Sequence, residues 1–385
     1  MFGGKLARRL AKNGRLDVIV AGRSLAKAQA FVRDMPARAA YIDTASSNLS
    51  EDIRALLPDI IVDASGPYQL HQGYRTAKAA LNTEAHYIDL SDDPAFSSGI
   101  TALNDLAIAK GLTLLSGASS VPAISSTVCD HLKSDFTQVD LIESAILPGN
   151  RAPRGKSVMR SILLQAGRPL KVWRGGEWSA PRGWSEPTDF TLSIPGSKPL
   201  RRQANLIGAP DLLLFPERYQ ANTVLFRAGL DLSLMHRGLS ALAWLASRPW
   251  GFKPERLTPL LKWIADRLEP FGSDRGGMIV RMVGIAKDGS YKEARWTLIV
   301  EDGDGPEIPA TPAFILIEKL MRGEIKSGAR ACLGEFSIPE LDKGLSPLRL
   351  NTHFETKPAQ RLFETILGDA FYELPAPLQD LHTFS

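Results

Sequence analysis

Apolar runs and helical patterns alternate at regular spacing over the first 125 residues of the chain. Short apolar runs predict buried strands at 17–21, 39–42, 59–63, 86–90 and 112–116. Helical patterns lie around them, at 3–13, 24–34, 49–57, 71–82 and 94–110. Strands that alternate with helices in this way form a parallel sheet with helices on both faces. The pattern therefore predicts an α/β domain with a doubly wound parallel sheet over residues 1–125.

The pattern changes after residue 125. Stretches rich in Gly, Pro, Arg and Trp surround VWRGGEW, which predicts a hairpin with Gly175 and Gly176 at its turn. An apolar helical stretch follows at about 229–270. Two long runs joined by KDGS then predict paired strands, and a helix is predicted at 311–322. We expect an α+β domain with a partly antiparallel sheet over 126–356, serving substrate binding or dimerisation.

The two ends of the chain lack elements that a complete domain would contain. A dinucleotide-binding unit of the Rossmann type has a strand before its Gly-rich turn, whereas only Met1 precedes FGG here. We therefore expect the first strand of the sheet to be missing. Residues 357–385 begin a helix, pass through a Pro-rich turn and stop. They are predicted to be the start of a truncated further domain.

Composition and charge argue against a nucleic-acid-binding, metal-binding or membrane-spanning protein. The chain is 44% hydrophobic and 23% charged, with a net charge of +4 and no cluster of basic and aromatic residues typical of a nucleic-acid surface. Two cysteines without metal or redox spacing fit a reducing cytoplasm, and six scattered histidines predict no metal site. We find no signal peptide or transmembrane segment. The apolar run at 239–247 predicts a core helix, or alternatively a membrane-surface helix.

Glycines and basic residues near the N-terminus predict NADP binding, with NAD less favoured. Gly3 and Gly4 can close a Gly-rich turn at the start of a helix, where a pyrophosphate binds. Arg23 lies 20 residues after Gly3, where an NAD-binding unit places an acidic residue and where an arginine suits a 2′-phosphate. Alternatively, Ser24 caps a helix between solvated basic neighbours. The candidate cofactor-binding residues are Phe2, Gly3, Gly22, Arg23, Ser24 and Lys27.

Further candidates follow the other strands, because ligands of such sheets bind outside the carboxyl ends of the strands. Asp43 can bind an adenine edge, and the turn of Ser65, Gly66 and Pro67 lets the backbone approach a cofactor. The candidate catalytic residues are Tyr68, His71 and Asp89, since each can move a proton beside a hydride transfer. Each also has a structural alternative. Tyr68 can pack over the turn, His71 can begin a helix, and Asp89 can cap backbone amides.

Several motifs together resemble the saccharopine dehydrogenase-like family of NAD(P)-dependent oxidoreductases. They are FGGKLARRLA, VIVAGRS, VDASGPYQ, HYIDLSDD, GASSVPAISS and the region beginning VGIAKDGSYKEARWTLIVEDGDGPEIPATP. The resemblance covers roughly residues 1–350 and implies a Rossmann domain joined to an α+β domain, with the active site between them. It also implies that RLFETILGDAFYELPAPLQDLHTFS begins a C-terminal domain of unknown function.

These observations predict an NADP-dependent oxidoreductase that transfers a hydride to or from a C=N, C=O or C=C bond of a small molecule. A homodimer is compatible with this prediction. Two alternatives stay open. One is a non-catalytic NADP-binding sensor or scaffold, and the other is a membrane-surface, lipid-related protein similar to enoyl reductases.

Overall fold

The computed structural model describes residues 2–71, 73–152, 155–249, 251–359 and 367–375. They divide into two compact units. Unit 1 is made of the described residues within Met1–Ile124, Pro153–Val158 and Pro306–Leu348, and unit 2 of those within Ser125–Ala152, Met159–Gly305 and Arg349–Ser385.

The secondary structure of the described residues follows the chain in this order. The strands are β1 (Val18–Gly22), β2 (Ala37–Tyr41), β3 (Ile60–Asp63), β4 (His86–Asp89), β5 (Thr113–Ser116), β6 (Phe136–Leu147), β7 (Val172–Arg174), β8 (Glu177–Ser179), β9 (Thr188–Leu192), β10 (Leu200–Leu206), β11 (Ala221–Gly229), β12 (Gly276–Ala286), β13 (Tyr291–Val300), β14 (Gly328–Ala331) and β15 (Leu350–Pro358). The α-helices are α1 (Phe2–Ala11), α2 (Leu25–Val32), α3 (Leu49–Arg54), α4 (Arg75–Asn82), α5 (Pro94–Gly99), α6 (Asn104–Ala109), α7 (Ser125–Lys133), α8 (Lys156–Gln165), α9 (Asp211–Tyr219), α10 (Ser233–Ala246), α11 (Thr258–Leu268), α12 (Thr311–Met321) and α13 (Ile338–Leu345).

Unit 1 contains two parallel sheets. β1 pairs with β2, and the second sheet has the order β14-β5-β4-β3. All four residues of β5 are buried, as expected of a parallel strand covered on both faces. The predicted α/β fold with a parallel sheet is therefore confirmed. The sequence pattern does not predict β14, a four-residue strand without an apolar run whose position depends on pairing with β5.

The segment 306–348 packs on α1 within unit 1. Arg9 of α1 donates hydrogen bonds to the Thr311 hydroxyl (3.1 Å) and to the Gly344 carbonyl (2.6 Å). Its guanidinium also lies 3.9 Å from the ring centre of Phe314. Lys5 forms an ion pair with Glu307 at 3.0 Å. These contacts fix the position of α1. The helix predicted at 311–322 is present as α12.

Unit 2 is built on a seven-stranded mixed sheet with the order β15-β13-β12-β6-β11-β10-β9. Only β6 and β11 pair in parallel, so the predicted α+β domain with a partly antiparallel sheet is confirmed. The predicted hairpin is β7–β8, and Gly175 and Gly176 adopt positive φ angles of 58° and 80° at its turn. The predicted helical stretch at 229–270 is divided into α10 and α11. Of the predicted further domain, 360–366 and 376–385 lie outside the described residues.

Candidate functional site

The strands of unit 1 bring most of the predicted site residues to the carboxyl edge of its parallel sheets. Gly22 ends β1, and Asp43 comes two residues after β2. Asp63 ends β3 and Asp89 ends β4, and these two residues are directly paired in the strand register. Parallel strands of one sheet share a carboxyl edge, so the loops after β1 and β2 lie together, and those after β3 and β4 lie together. These loops are the candidate binding surface.

The N-terminus of α1 lies against this edge. A Cβ atom on Gly3 would be 2.7 Å from the Cβ of Ala64, which follows β3, and one on Gly4 would be 3.2 Å from the Phe31 ring of α2. Phe2 is half-buried, and the first turn of α1 contains no acidic residue. The unpaired amides and the dipole of such a helix start favour an anion. This helix start is therefore suited to a phosphate group.

Basic side chains follow β1 at the same edge. Ser24 is the N-cap of α2, and its hydroxyl accepts a hydrogen bond from the Lys27 amide at 3.4 Å. Arg23 and Lys27 are exposed, and neither has a carboxylate partner in the part of the chain that the structure describes. A side chain at Gly22 would meet no atom within 4 Å. The end of β1 is thus a cationic surface with open space beside it.

Arg75, which the sequence analysis missed, holds the loop after β2. Its guanidinium donates to the carbonyls of Thr44 (3.1 Å), Ala45 (3.1 Å) and Ser46 (2.6 Å). Asp43 begins this loop and accepts a hydrogen bond from the Ala45 amide at 3.0 Å. Arg75 is about 30 residues away in the sequence and carries no local motif, so only the fold reveals its role.

The turn after β3 is closed by Asp63 and Tyr68. The Asp63 carboxylate accepts from the Ser65 amide (2.9 Å) and hydroxyl (2.5 Å). The Tyr68 hydroxyl donates to the Asp63 carbonyl at 2.6 Å and accepts from the Leu90 amide at 3.3 Å. Burial raises the pKa of Tyr68 well above its usual range. The Tyr68 hydroxyl is therefore engaged in holding the turn, as in the packing alternative.

The peptide bond between Gly66 and Pro67 is cis, and a Cβ on Gly66 would approach the Tyr68 ring to 3.2 Å. This close approach accounts for the glycine in the turn. Asp63 was not among the predicted site residues, although an acidic residue at the end of the run IIVD is a signal that could have identified it.

His71 is the only one of the three candidate proton carriers that is not fully buried. Its ring packs 5.0 Å from the Tyr68 ring and 5.7 Å from the Phe96 ring, measured between ring centres. Its Nε2 atom lies 3.4 Å from the Ser65 carbonyl oxygen. His71 is thus oriented by aromatic contacts while part of its side chain faces solvent.

Asp89 is fully buried and binds the loop after β5. Its Oδ1 accepts hydrogen bonds of 2.9 Å from the Ser91 amide, the Ser116 hydroxyl and the Gly117 amide. Burial raises the pKa of Asp89 to about 7, and these hydrogen bonds only partly oppose that effect. The contacts match the capping alternative, in which Asp89 positions neighbouring loops.

The raised pKa of Asp89 makes stability depend on pH in a defined direction. The folded chain binds a proton between about pH 4 and pH 7 that an unfolded aspartate has lost, so stability falls as pH rises through this range. We expect the melting temperature of Asp89→Asn, relative to that of the unaltered chain, to be higher at pH 8 than at pH 5. Circular dichroism measures both melting temperatures. The exposed Asp105→Asn is the control and should give the same change at both pH values. An equal effect of both variants would contradict the prediction.

Unit 2 contains a polar cavity of about 500 Å³. β9, β10 and α10 contribute to its lining, which includes the Arg202–Asp231 ion pair at 2.6 Å and the buried His236. None of the predicted site residues lines this cavity. In the residues that the structure describes, no three His, Cys, Asp or Glu side chains converge into a possible metal site.

One family model matches the N-terminal part of the chain. Residues 1–115 match the family model of the saccharopine dehydrogenase NADP binding domain. The resemblance inferred from the motifs is therefore confirmed for this part of the chain. The chain matches none of the curated proteins.

One of three similar solved structures supports the fold. Apo saccharopine dehydrogenase (L-Glu forming) from Saccharomyces cerevisiae is 17% identical, with 92% of this chain and 98% of that chain covered and a TM-score of 0.62. GenD2 from gentamicin A biosynthesis, in complex with NAD, is 10% identical over 92% and 93% of the two chains, with a TM-score of 0.41. Biliverdin reductase from Synechocystis sp. PCC 6803, with biliverdin and NADP+, is 12% identical over 90% and 93%, with a TM-score of 0.36. Only the first supports the fold assignment.

Proposed function

We propose that this chain, whose residues 1–115 match the family model of the saccharopine dehydrogenase NADP binding domain, is an NADP-dependent oxidoreductase. The observation that supports this most strongly is the start of α1, where Gly3 leaves no room for a Cβ beside Ala64. A backbone this closely packed can present its amides to a pyrophosphate. Arg23 and Lys27 supply positive charge next to it, at the end of β1.

The residues at this edge fit the parts of NADP. The start of α1 would hold the pyrophosphate, Arg23 with Ser24 and Lys27 the 2′-phosphate, and the Asp43 loop the adenine. The turn of Ser65, Gly66 and Pro67 would form the wall beside the nicotinamide. When bound, the cofactor supplies or accepts a hydride, which makes C=N, C=O and C=C bonds the candidate reacting groups.

Within this proposal the three candidate catalytic residues have different roles. His71 would hold or move the proton, because it alone of the three is partly exposed and its imidazole can both donate and accept a proton. Tyr68 and Asp89 would be positioning residues that fix the turn after β3 and the loop after β5. Three further points stay predictions. They are the cytoplasmic location, a homodimer, and the division of the chain into domains at 1–125, 126–356 and 357–385.

Replacing Arg23 with alanine tests the cofactor assignment. Charge-assisted hydrogen bonds contribute about 1.5–3 kcal/mol each, so we expect the affinity for NADPH to fall by about tenfold to a hundredfold. The affinity for NADH should be unchanged, because NADH has no 2′-phosphate. Titration with both cofactors, followed by tryptophan fluorescence, measures the two dissociation constants.

Arg15→Ala is the matched control. Arg15 is also exposed, but it precedes β1 and so lies at the opposite edge of the strand. It should leave both affinities unchanged. An equal loss of NADPH and NADH affinity in Arg23→Ala would contradict contact with a 2′-phosphate. Binding of neither cofactor to the unaltered chain would overturn the proposed function.

A further inference from the structure

Two apolar helices of unit 2 bury very little of their surface. α10 has 14 residues and α11 has 11, yet only His236 and Ala243 of α10 and Thr258 and Ala265 of α11 are buried. Large apolar side chains are instead exposed on and beside these helices. We define the α10–α11 surface by Leu234 (73% exposed), Trp244 (58%), Leu260 (52%), Trp263 (55%) and Phe271 (75%). Such a concentration of exposed apolar side chains marks an interaction surface.

Arginines stack on the two tryptophans of the α10–α11 surface. The Arg248 guanidinium lies 4.4 Å from the Trp244 ring centre, and the Arg267 guanidinium lies 4.8 Å from the Trp263 ring centre. Tryptophan and arginine both have an apolar body and a polar end. Side chains of this kind are typical of the boundary between hydrocarbon and lipid headgroups.

The charges around the α10–α11 surface are mostly positive. Residues 233–271 contain six Lys or Arg and three Asp or Glu. Asp266 pairs with Lys262, and Glu255 pairs with Arg168. Arg237 lines the cavity of unit 2. In the described part of the chain, the other basic side chains of this segment have no carboxylate partner: Arg248, Lys253, Arg256 and Arg267. Glu269 is the one remaining acidic residue, so the surface favours an anionic partner.

We propose that the α10–α11 surface docks on an anionic lipid bilayer, with its tryptophans at headgroup level and its arginines on lipid phosphates. No described helix has the length and apolar character needed to cross a bilayer, so the helices would lie on its surface. A second copy of the chain is a less suitable partner. A two-fold interface would place the same group of cations from both copies face to face, which like-charge repulsion opposes.

Vesicle binding tests the proposal. The unaltered chain is mixed with phosphatidylcholine vesicles that contain or lack phosphatidylglycerol, and the bound fraction is measured by flotation at low and high salt. We expect binding to the anionic vesicles only, with weaker binding at high salt. Trp244→Glu combined with Trp263→Glu should lower the partition coefficient by about tenfold or more, because two apolar anchors become negative charges.

Leu57→Glu combined with Trp178→Glu is the matched control, since both residues are exposed and lie outside α10 and α11. This control should leave vesicle binding unchanged, and melting curves of both double variants should match that of the unaltered chain. Equal binding to both types of vesicle, or equal loss in both variants, would overturn the proposal. So would an absence of vesicle binding together with a dimer in light scattering that Trp244→Glu and Trp263→Glu dissociate.

Discussion

Replacing Gly3 with alanine is expected to weaken NADPH binding by about tenfold to a hundredfold. The added Cβ would lie 2.7 Å from the Cβ of Ala64, closer than two such atoms can pack. Ala64 has no flexible side chain that could move away, so the start of α1 must shift from the end of β3. Overpacking of this kind costs about 1–3 kcal/mol. We expect a loss of similar size in binding, because the amides that would face the pyrophosphate move with the start of α1. Fluorescence titration with NADPH measures the change.

Two further variants separate the contact from a general effect of losing a glycine. Gly14→Ala is the control, because a Cβ there would meet no atom within 4 Å, and it should bind NADPH normally. Ala64→Gly combined with Gly3→Ala removes the colliding methyl group and should restore most of the affinity. If the combined variant binds as weakly as Gly3→Ala alone, the close approach of α1 and β3 is not what supports cofactor binding.

Replacing Glu143 with glutamine should lower the free energy of unfolding of unit 2 by about 3–5 kcal/mol. Glu143 lies on β6, and its side chain is 1% exposed. Its two carboxylate oxygens accept hydrogen bonds from Arg227 on β11 (2.6 Å) and Arg281 on β12 (2.7 Å). The neutral amide would leave the buried charge of Arg227 without compensation. Urea unfolding followed by tryptophan fluorescence measures the loss.

Glu324→Gln is the matched control for this ion pair. Glu324 pairs with Arg322, and both side chains are more than two-fifths exposed, at 43% and 49%. Exposed ion pairs contribute little because water screens them, so this variant should unfold at nearly the same urea concentration as the unaltered chain. If Glu143→Gln and Glu324→Gln behave alike, the pair across β6, β11 and β12 does not stabilise the sheet.

The sequence was sufficient to predict the parallel strands of unit 1 and the paired strands of unit 2, because burial imposes a short, repeated apolar pattern on each. It could not predict that β14 joins β5, since GARA has no apolar pattern and its partner is about 200 residues away. The packing of Arg9 on 306–348 was missed for the same reason. Local patterns determine which segments form strands and helices, whereas distant pairing depends on the assembled core.

In the candidate site, too, local sequence predicts some features and distant contacts determine the others. Strand ends identified Arg23, Asp43, Tyr68, His71 and Asp89 because parallel strands place their carboxyl ends at one edge. The sequence could not tell which of these side chains face solvent and which are used within the fold. That distinction separates His71 from the buried Tyr68 and Asp89, and it depends on hydrogen bonds between different loops.

Amide hydrogen exchange with and without NADPH tests whether the carboxyl edge of unit 1 binds NADP. We expect NADPH to slow amide exchange at the start of α1, at 22–27 and at 63–71, and to change exchange little in the residues that line the cavity of unit 2. No change at these segments, or protection confined to the residues that line the cavity, would contradict it.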